Sequence, residues 1–402
     1  MKYVVILGDG MADEPREELG GKSPLEYAKT PTMDLLAAKS EIGMAKTIPE
    51  GMKPGSDTAN LAVMGYDPKK YYTGRSPIEA LSIGVKMRDT DVAFRCNLVT
   101  LSDDDLPYEK KTIIDHSSGE ISTEDADILL KAVKEAFENE TYQFYTGTSY
   151  RHLLIWNHGQ VVELTPPHDI LERVIGDYLP QDQALRKMME KSYEILNHHP
   201  LNEERAKKGL NKANSLWFWG AGTKPFLSSF KEKTGLSGTM VSAVDLLKGI
   251  AVGAGMENAE VEGANGGLHT NYEGKARAAL KALLEGGSDF AYIHLEAPDE
   301  MGHQGKCMDK VLSIEYLDSR VVKPVYEGLL ESGEDFRILI MPDHPTPVRI
   351  RTHVSDPVPY LLYDSRKDLG CPYKYNEADA KKTGIHVEQG YTLMDRFLEK
   401  ER

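Results

Sequence analysis

The chain has 402 residues, 40% of them hydrophobic and 28% charged, the composition of a soluble protein too long for one usual core, so two domains are expected. A formal charge of -15 argues against a nucleic-acid or anionic-membrane surface and requires any phosphate site to be built locally. Cys96, Cys307 and Cys371 lie far apart, excluding a disulfide framework or thiolate zinc site, and no apolar run suits a membrane span or signal peptide, so a reducing, cytoplasmic setting is expected.

Residues 2–7 form a continuous β-branched run of the kind that fills a central parallel strand. Gly8-Asp9-Gly10 puts a carboxylate at its C-terminal end, where open α/β sheets carry ligands, although Asp9 is equally readable as a turn residue. Thr30-Pro31-Thr32 opens an amphipathic helix that leads toward Pro54-Gly55-Ser56-Asp57-Thr58-Ala59. That turn delivers Ser56 to the N-terminus of a buried helix ended by Gly65 and Pro68. Unpaired N–H groups and the helix dipole there favour an oxyanion or a transferred phosphoryl group, while a simple capping role for Ser56 or Asp57 remains the alternative.

From residue 84 to 211 the pattern changes, with a strand at 91–100, an acidic turn, a capped helix at 122–138, a strand at 151–156 and a helix following Pro180. The pair His198-His199 reads as a helix-end cap, because adjacent side chains there diverge. The chain is expected to return to the first pattern at the apolar strand 215–221. Strands at 289–295 and 336–341, separated by a helix over 312–330, continue an alternation that predicts a parallel sheet covered by helices. The expected architecture is α/β: a doubly wound, mostly parallel sheet built from residues 1–83 and 212–402, with a smaller α/β domain inserted at 84–211.

Both late strands run into metal-ligand residue types. The first is followed by Glu296, Asp299 and His303, the second by Asp343-His344, with His353 nine residues on. Carboxylate oxygen and imidazole nitrogen without thiolate suit Mn²⁺, Zn²⁺, Co²⁺ or Mg²⁺. Ser56 has no histidine–carboxylate partner nearby in sequence, so metal coordination is the route by which its hydroxyl would become a nucleophile, and a pair of ions would clamp a phosphoryl group.

The segments Gly8-Asp9-Gly10-Met11-Ala12-Asp13, Pro54-Gly55-Ser56-Asp57-Thr58-Ala59, Asn271-Tyr272-Glu273-Gly274-Lys275-Ala276, Ala297-Pro298-Asp299-Glu300-Met301-Gly302-His303, Pro342-Asp343-His344-Pro345-Thr346-Pro347 and Arg351-Thr352-His353 resemble the archaeal-type cofactor-independent phosphoglycerate mutases of the alkaline phosphatase superfamily. The resemblance covers nearly the whole chain. It implies two divalent ions, Mn²⁺ foremost, one held by Asp9, Ser56, Asp343 and His344 and the other by Asp299, His303 and His353. It also implies a phosphoserine intermediate at Ser56, interconversion of 3-phosphoglycerate and 2-phosphoglycerate, and an inserted lid over the substrate. Arg151 is the first candidate for the substrate's anionic groups, followed by Arg75, His168 and Asp169, with Lys248 as a candidate for the phosphoserine. The segment from Tyr108 to Gly119 resembles instead a related group proposed to act as homoserine kinases, which leaves that phosphotransfer, or simple phosphohydrolysis, as the alternative activity.

Overall fold

The computed structural model describes residues 1–400 and divides the chain into two compact units, residues 1–72 with 226–402, and residues 73–225. The N-terminal leg supplies β1 (Lys2–Gly8) and β2 (Glu41–Ala45). The insert supplies β3 (Asp91–Leu101), β4 (Ile113–Asp115), β5 (Tyr142–Tyr145), β6 (Arg151–Asn157) and β7 (Ser215–Thr223). The C-terminal leg returns with β8 (Gly238–Val241), β9 (Glu257–Asn258), β10 (Phe290–Leu295), β11 (Phe336–Met341), β12 (Val358–Asp364) and β13 (His386–Val387).

In the larger unit eight strands form one sheet in the order β13-β2-β12-β11-β1-β10-β8-β9. All neighbours are parallel except β12, which runs against both β11 and β2. The central strands are buried on both faces, as their predominantly apolar sequences require, with His294 and Arg337 as buried polar exceptions. Val4, Ile6, Ile293 and Ile340 share a core with Leu36, Leu283, Ile314, Leu317 and Leu329 from helices on one face. On the other, Phe290 stacks with Phe230 at 4.7 Å, Tyr3 with Phe397 at 5.7 Å, and Tyr292 donates a hydrogen bond to Asn60. Helices therefore cover both faces, and the sheet is doubly wound.

Register positions the chemistry. Leu7 lies opposite His294 on one side and Met341 on the other, so β1, β10 and β11 stop at the same level. The segments after them, carrying Asp9, Asp299 and Asp343, emerge side by side at the C-terminal edge.

The insert is built on an antiparallel sheet in which β3, eleven residues long and buried throughout, pairs with β4, β6 and β7. Its core joins Phe94, Cys96 and Leu98 to Leu129, Leu130 and Val133 from one helix and Leu185, Met188 and Met189 from another. The compact unit is wider than the 84–211 expected from sequence. It takes in the helix Arg75–Ser82 and β7, whose residues 215–223 join the insert rather than returning to the main sheet. Thr73 donates to the Thr223 carbonyl and Ser76 to that of Gly220, closing the two ends of the insert on each other. Of the paired histidines, His199 caps the helix Pro200–Lys207 by accepting the Leu201 N–H at its Nδ1.

The loops after β1 and β11 are locked together by an ion pair from which water is excluded. Lys310 Nζ donates to Asp13 Oδ2 at 2.8 Å and to the carbonyls of Thr346 and Ala12, and both side chains are 0% exposed. Asp13 Oδ2 also accepts the Val348 N–H. Lys310→Met should lower the unfolding free energy in urea by about 3–5 kcal/mol, since it strands a buried carboxylate. Adding Asp13→Leu should recover part of that loss, and equal stability of both variants would remove the pair from its role.

Candidate active site

Asp9 follows β1 directly, its N–H bonded to the Leu295 carbonyl. Gly10 then turns the chain at φ +60°, and a Cβ there would meet Asp299 Oδ1 and Thr346 Oγ1 at 2.5 Å, so the turn needs glycine. Its N–H donates to Asp343 Oδ1, as does that of His344. Ser56 is the first residue of the helix Ser56–Val63, and its Oγ lies 3.1 Å from His344 Nε2 and 3.5 Å from Asp9 Oδ2.

Two groups converge here. Asp9, Asp343 and His344, all buried, offer ligand atoms within 4.8 Å of one another, and so do Asp299, His344 and His353. His344 thus falls in both. His303 stands beside the second group, with Nε2 3.2 Å from Asp299 Oδ2 and 2.9 Å from His353 Nε2. Its Nδ1 lies 3.0 Å from the Arg351 carbonyl.

The electrostatics match a site built for cations. Burial, together with the charges of Asp343 and Asp299, pushes Asp9 well above the usual carboxylate range. Asp9 Oδ1 is buried without a hydrogen-bond donor, an arrangement that a bound cation would satisfy. For Asp299 burial pulls the same way, but hydrogen bonds from His303 and His353 outweigh it and hold the acid well below its ordinary range. The same contact raises His303 to about 9, while burial lowers His344.

All seven residues expected to hold metal belong to the larger unit, and the fold brings them together. Lys248, in the same unit, has its Nζ bonded to both carboxylate oxygens of Glu260. The remaining candidates belong to the insert. Arg75 pairs with Glu79 at 2.9 Å, Arg151 lies over the Tyr150 ring, and the His168 ring meets Trp219 edge-on, with Asp169 3.7 Å from its Nε2.

Sequence reasoning passed over several residues that contact these candidates or their neighbours. Arg95, from β3, reaches Glu79 at 2.9 Å and stacks on Trp219. Burial raises the Glu79 carboxyl, but Arg95, Arg75 and Arg151 outweigh it and bring it below its ordinary value. In the larger unit, Thr346 Oγ1 donates to Asp299, Asn60 to Asp343, and His294, wholly buried in β10, lies 2.7 Å from Asp9 Oδ2. The available signal was the polar residue inside an otherwise apolar strand.

A family profile described as 2,3-bisphosphoglycerate-independent phosphoglycerate mutase matches residues 37–202. The chain is 48% identical over 400 residues to the 2,3-bisphosphoglycerate-independent phosphoglycerate mutase of Methanosarcina barkeri, covering 98% of each sequence. Among solved structures it is similar to a Pyrococcus horikoshii protein, with TM-score 0.81, 30% identity and coverage of 100% and 98%. It is also similar to the cofactor-independent phosphoglycerate mutase of Thermoplasma acidophilum, with TM-score 0.65, 25% identity and 99% of each chain covered. With full-length likeness at this identity, and a serine at a helix N-terminus facing two carboxylate–imidazole groups, the chain belongs to the 2,3-bisphosphoglycerate-independent phosphoglycerate mutase family.

Proposed function

We propose that the protein interconverts 3-phosphoglycerate and 2-phosphoglycerate by way of phospho-Ser56, with two divalent cations, Mn²⁺ foremost, held by Asp9, Ser56, Asp343 and His344 and by Asp299, His303 and His353. The observation that carries this reading is Ser56 Oγ, presented at a helix N-terminus within 3.5 Å of both His344 and Asp9. When bound, the cations would lower the pKa of the serine hydroxyl and neutralise the nonbridging oxygens of the phosphoryl group.

The chain's own residues account for the rest. The Thr58 N–H is taken by Asp57 Oδ1, which leaves the N–H groups of Ser56 and Asp57 at the start of the helix for the incoming phosphoryl oxygens. Ser56 Oγ forms the bond to phosphorus as the bond to the glycerate C3 oxygen breaks, and the proton lost by Ser56 is balanced by the one the departing oxygen takes up. In the return step the C2 hydroxyl attacks phospho-Ser56, its proton passing back to the serine. Arg151 foremost, with Arg75, His168 and Asp169, would bind the phosphate and carboxylate of the substrate, groups that a guanidinium fork suits.

Ser56→Ala should leave folding and metal content nearly intact and abolish turnover, with the phosphate found on Ser56 of the unmutated protein by intact-mass analysis after acid quench. A fully active alanine variant would exclude the covalent route. Purified protein with Mn²⁺ and 3-phosphoglycerate, coupled to enolase, should turn over, whereas ATP with homoserine should yield no phosphohomoserine; the reverse pattern would replace the substrate.

Cation binding should also release protons. His303, raised to about 9 by Asp299, is protonated at neutral pH, and a ligating imidazole must be neutral, so Mn²⁺ affinity should rise with pH and level off near 9. Titration calorimetry at pH 7 in buffers of different ionisation enthalpy should reveal that proton, and buffer-independent heats would contradict it. Finally, Arg151→Ala should cost about 2–5 kcal/mol of transition-state stabilisation in kcat/KM, against the coupled assay, with Mn²⁺ affinity unchanged.

A further inference from the structure

His294 contributes no atom to either cation group, yet it is the side chain that sets how Asp9 is presented. The imidazole is 0% exposed, with Nε2 2.7 Å from Asp9 Oδ2 and Nδ1 3.1 Å from Ser242 Oγ. Ser242 Oγ already accepts the Val244 N–H at 3.0 Å, which leaves its own hydroxyl hydrogen to be donated. With Asp9 ionised, as a cation ligand must be, its oxygens only accept, so Nε2 carries the hydrogen that points at Asp9 Oδ2 and Nδ1 is left to accept the Ser242 hydroxyl hydrogen. The strand holding the ring is itself tied from outside the sheet, since buried Lys275 Nζ donates to the His294 carbonyl at 2.9 Å. With Oδ2 held by His294 and facing Ser56 Oγ at 3.5 Å, Asp9 keeps Oδ1, its buried oxygen without a donor, 3.6 Å from His344 Nε2.

We propose that His294 is a positioning residue for the cation at Asp9, Asp343 and His344: a neutral imidazole, fixed in its Nε2–H tautomer by Ser242, that clamps one oxygen of Asp9 so that the other is presented as ligand. The proposal rests on the reading of Asp9 as a metal ligand. Groups that orient a ligating side chain in this way typically contribute 10–100-fold to affinity. A neutral donor suits the place better than a charged one, because it orients the carboxylate without competing with the cation for its charge.

The test titrates Mn²⁺ alone into the full-length protein and its variants by calorimetry. His294→Leu, which removes the donor at similar volume, should weaken one of two binding steps 10–100-fold and leave the other unchanged. His294→Gln, whose amide N–H₂ reaches toward the position of Nε2, should restore affinity to within about threefold of the parent. Ser242→Ala, a small change that keeps the ring but frees its tautomer, should weaken the same step several-fold and provides the measurement if the leucine variant fails to fold. Unchanged Mn²⁺ affinity in Ser242→Ala and His294→Leu, in protein whose Asp9→Asn variant does lose a cation, would overturn the role of His294 alone. Equal weakening of both steps, unrescued by glutamine, would reduce it to core packing. A parent protein that binds no Mn²⁺ would overturn the inference together with the metal reading beneath it.

Discussion

Asp9 and Asp343 end adjacent parallel strands, and their carboxyl groups meet in a space from which water is excluded. Two like charges in such a place cannot both persist without a compensating positive charge, and the rise of Asp9 far above its ordinary range is the expression of that conflict. The fold answers it only in part. Backbone N–H groups of Gly10 and His344 and the Asn60 amide serve Asp343, and His294 serves one oxygen of Asp9. The other oxygen of Asp9 has no donor from the protein. Around Asp299 the balance is opposite: hydrogen bonds from His303 and His353 outweigh burial and hold the acid low, and the same carboxylate raises His303 to about 9. One half of the site is thus short of positive charge and the other short of free ligands.

Much of this was legible in sequence because the features concerned are local. Residues 3–7 are apolar throughout and 336–341 apolar but for Arg337, which specifies burial on both faces and hence central parallel strands, and the ligand types follow those runs closely. What such a run does not specify is its partner. From sequence, residues 215–221 are expected in the main sheet, whereas pairing with β3 assigns β7 to the insert. Arg95 and His294 were illegible for a related reason. Each sits in a strand buried along its length, and its meaning depends on a partner far away in sequence: Trp219 and Asp9 respectively.

Asn60 shows how Ser56, the proposed nucleophile, is held to the same frame as the acids. Its amide N–H₂ donates to the Ser56 carbonyl at 2.8 Å and to Asp343 Oδ2 at 2.9 Å, which uses both hydrogens, while its oxygen accepts the Tyr292 hydroxyl at 2.6 Å. The orientation of the amide follows from these contacts, because the reverse would set its oxygen against a carboxylate and a carbonyl. The first turn of the serine helix is thereby tied to β10 through Tyr292 and to the end of β11 through Asp343. An aspartate at position 60 would bury a further negative charge beside Asp343, and a leucine would remove the Asn60 bonds to the Tyr292 hydroxyl and to Asp343 Oδ2. A neutral side chain that both donates and accepts is what the position demands, so the serine oxygen and the two acids are registered by one sheet.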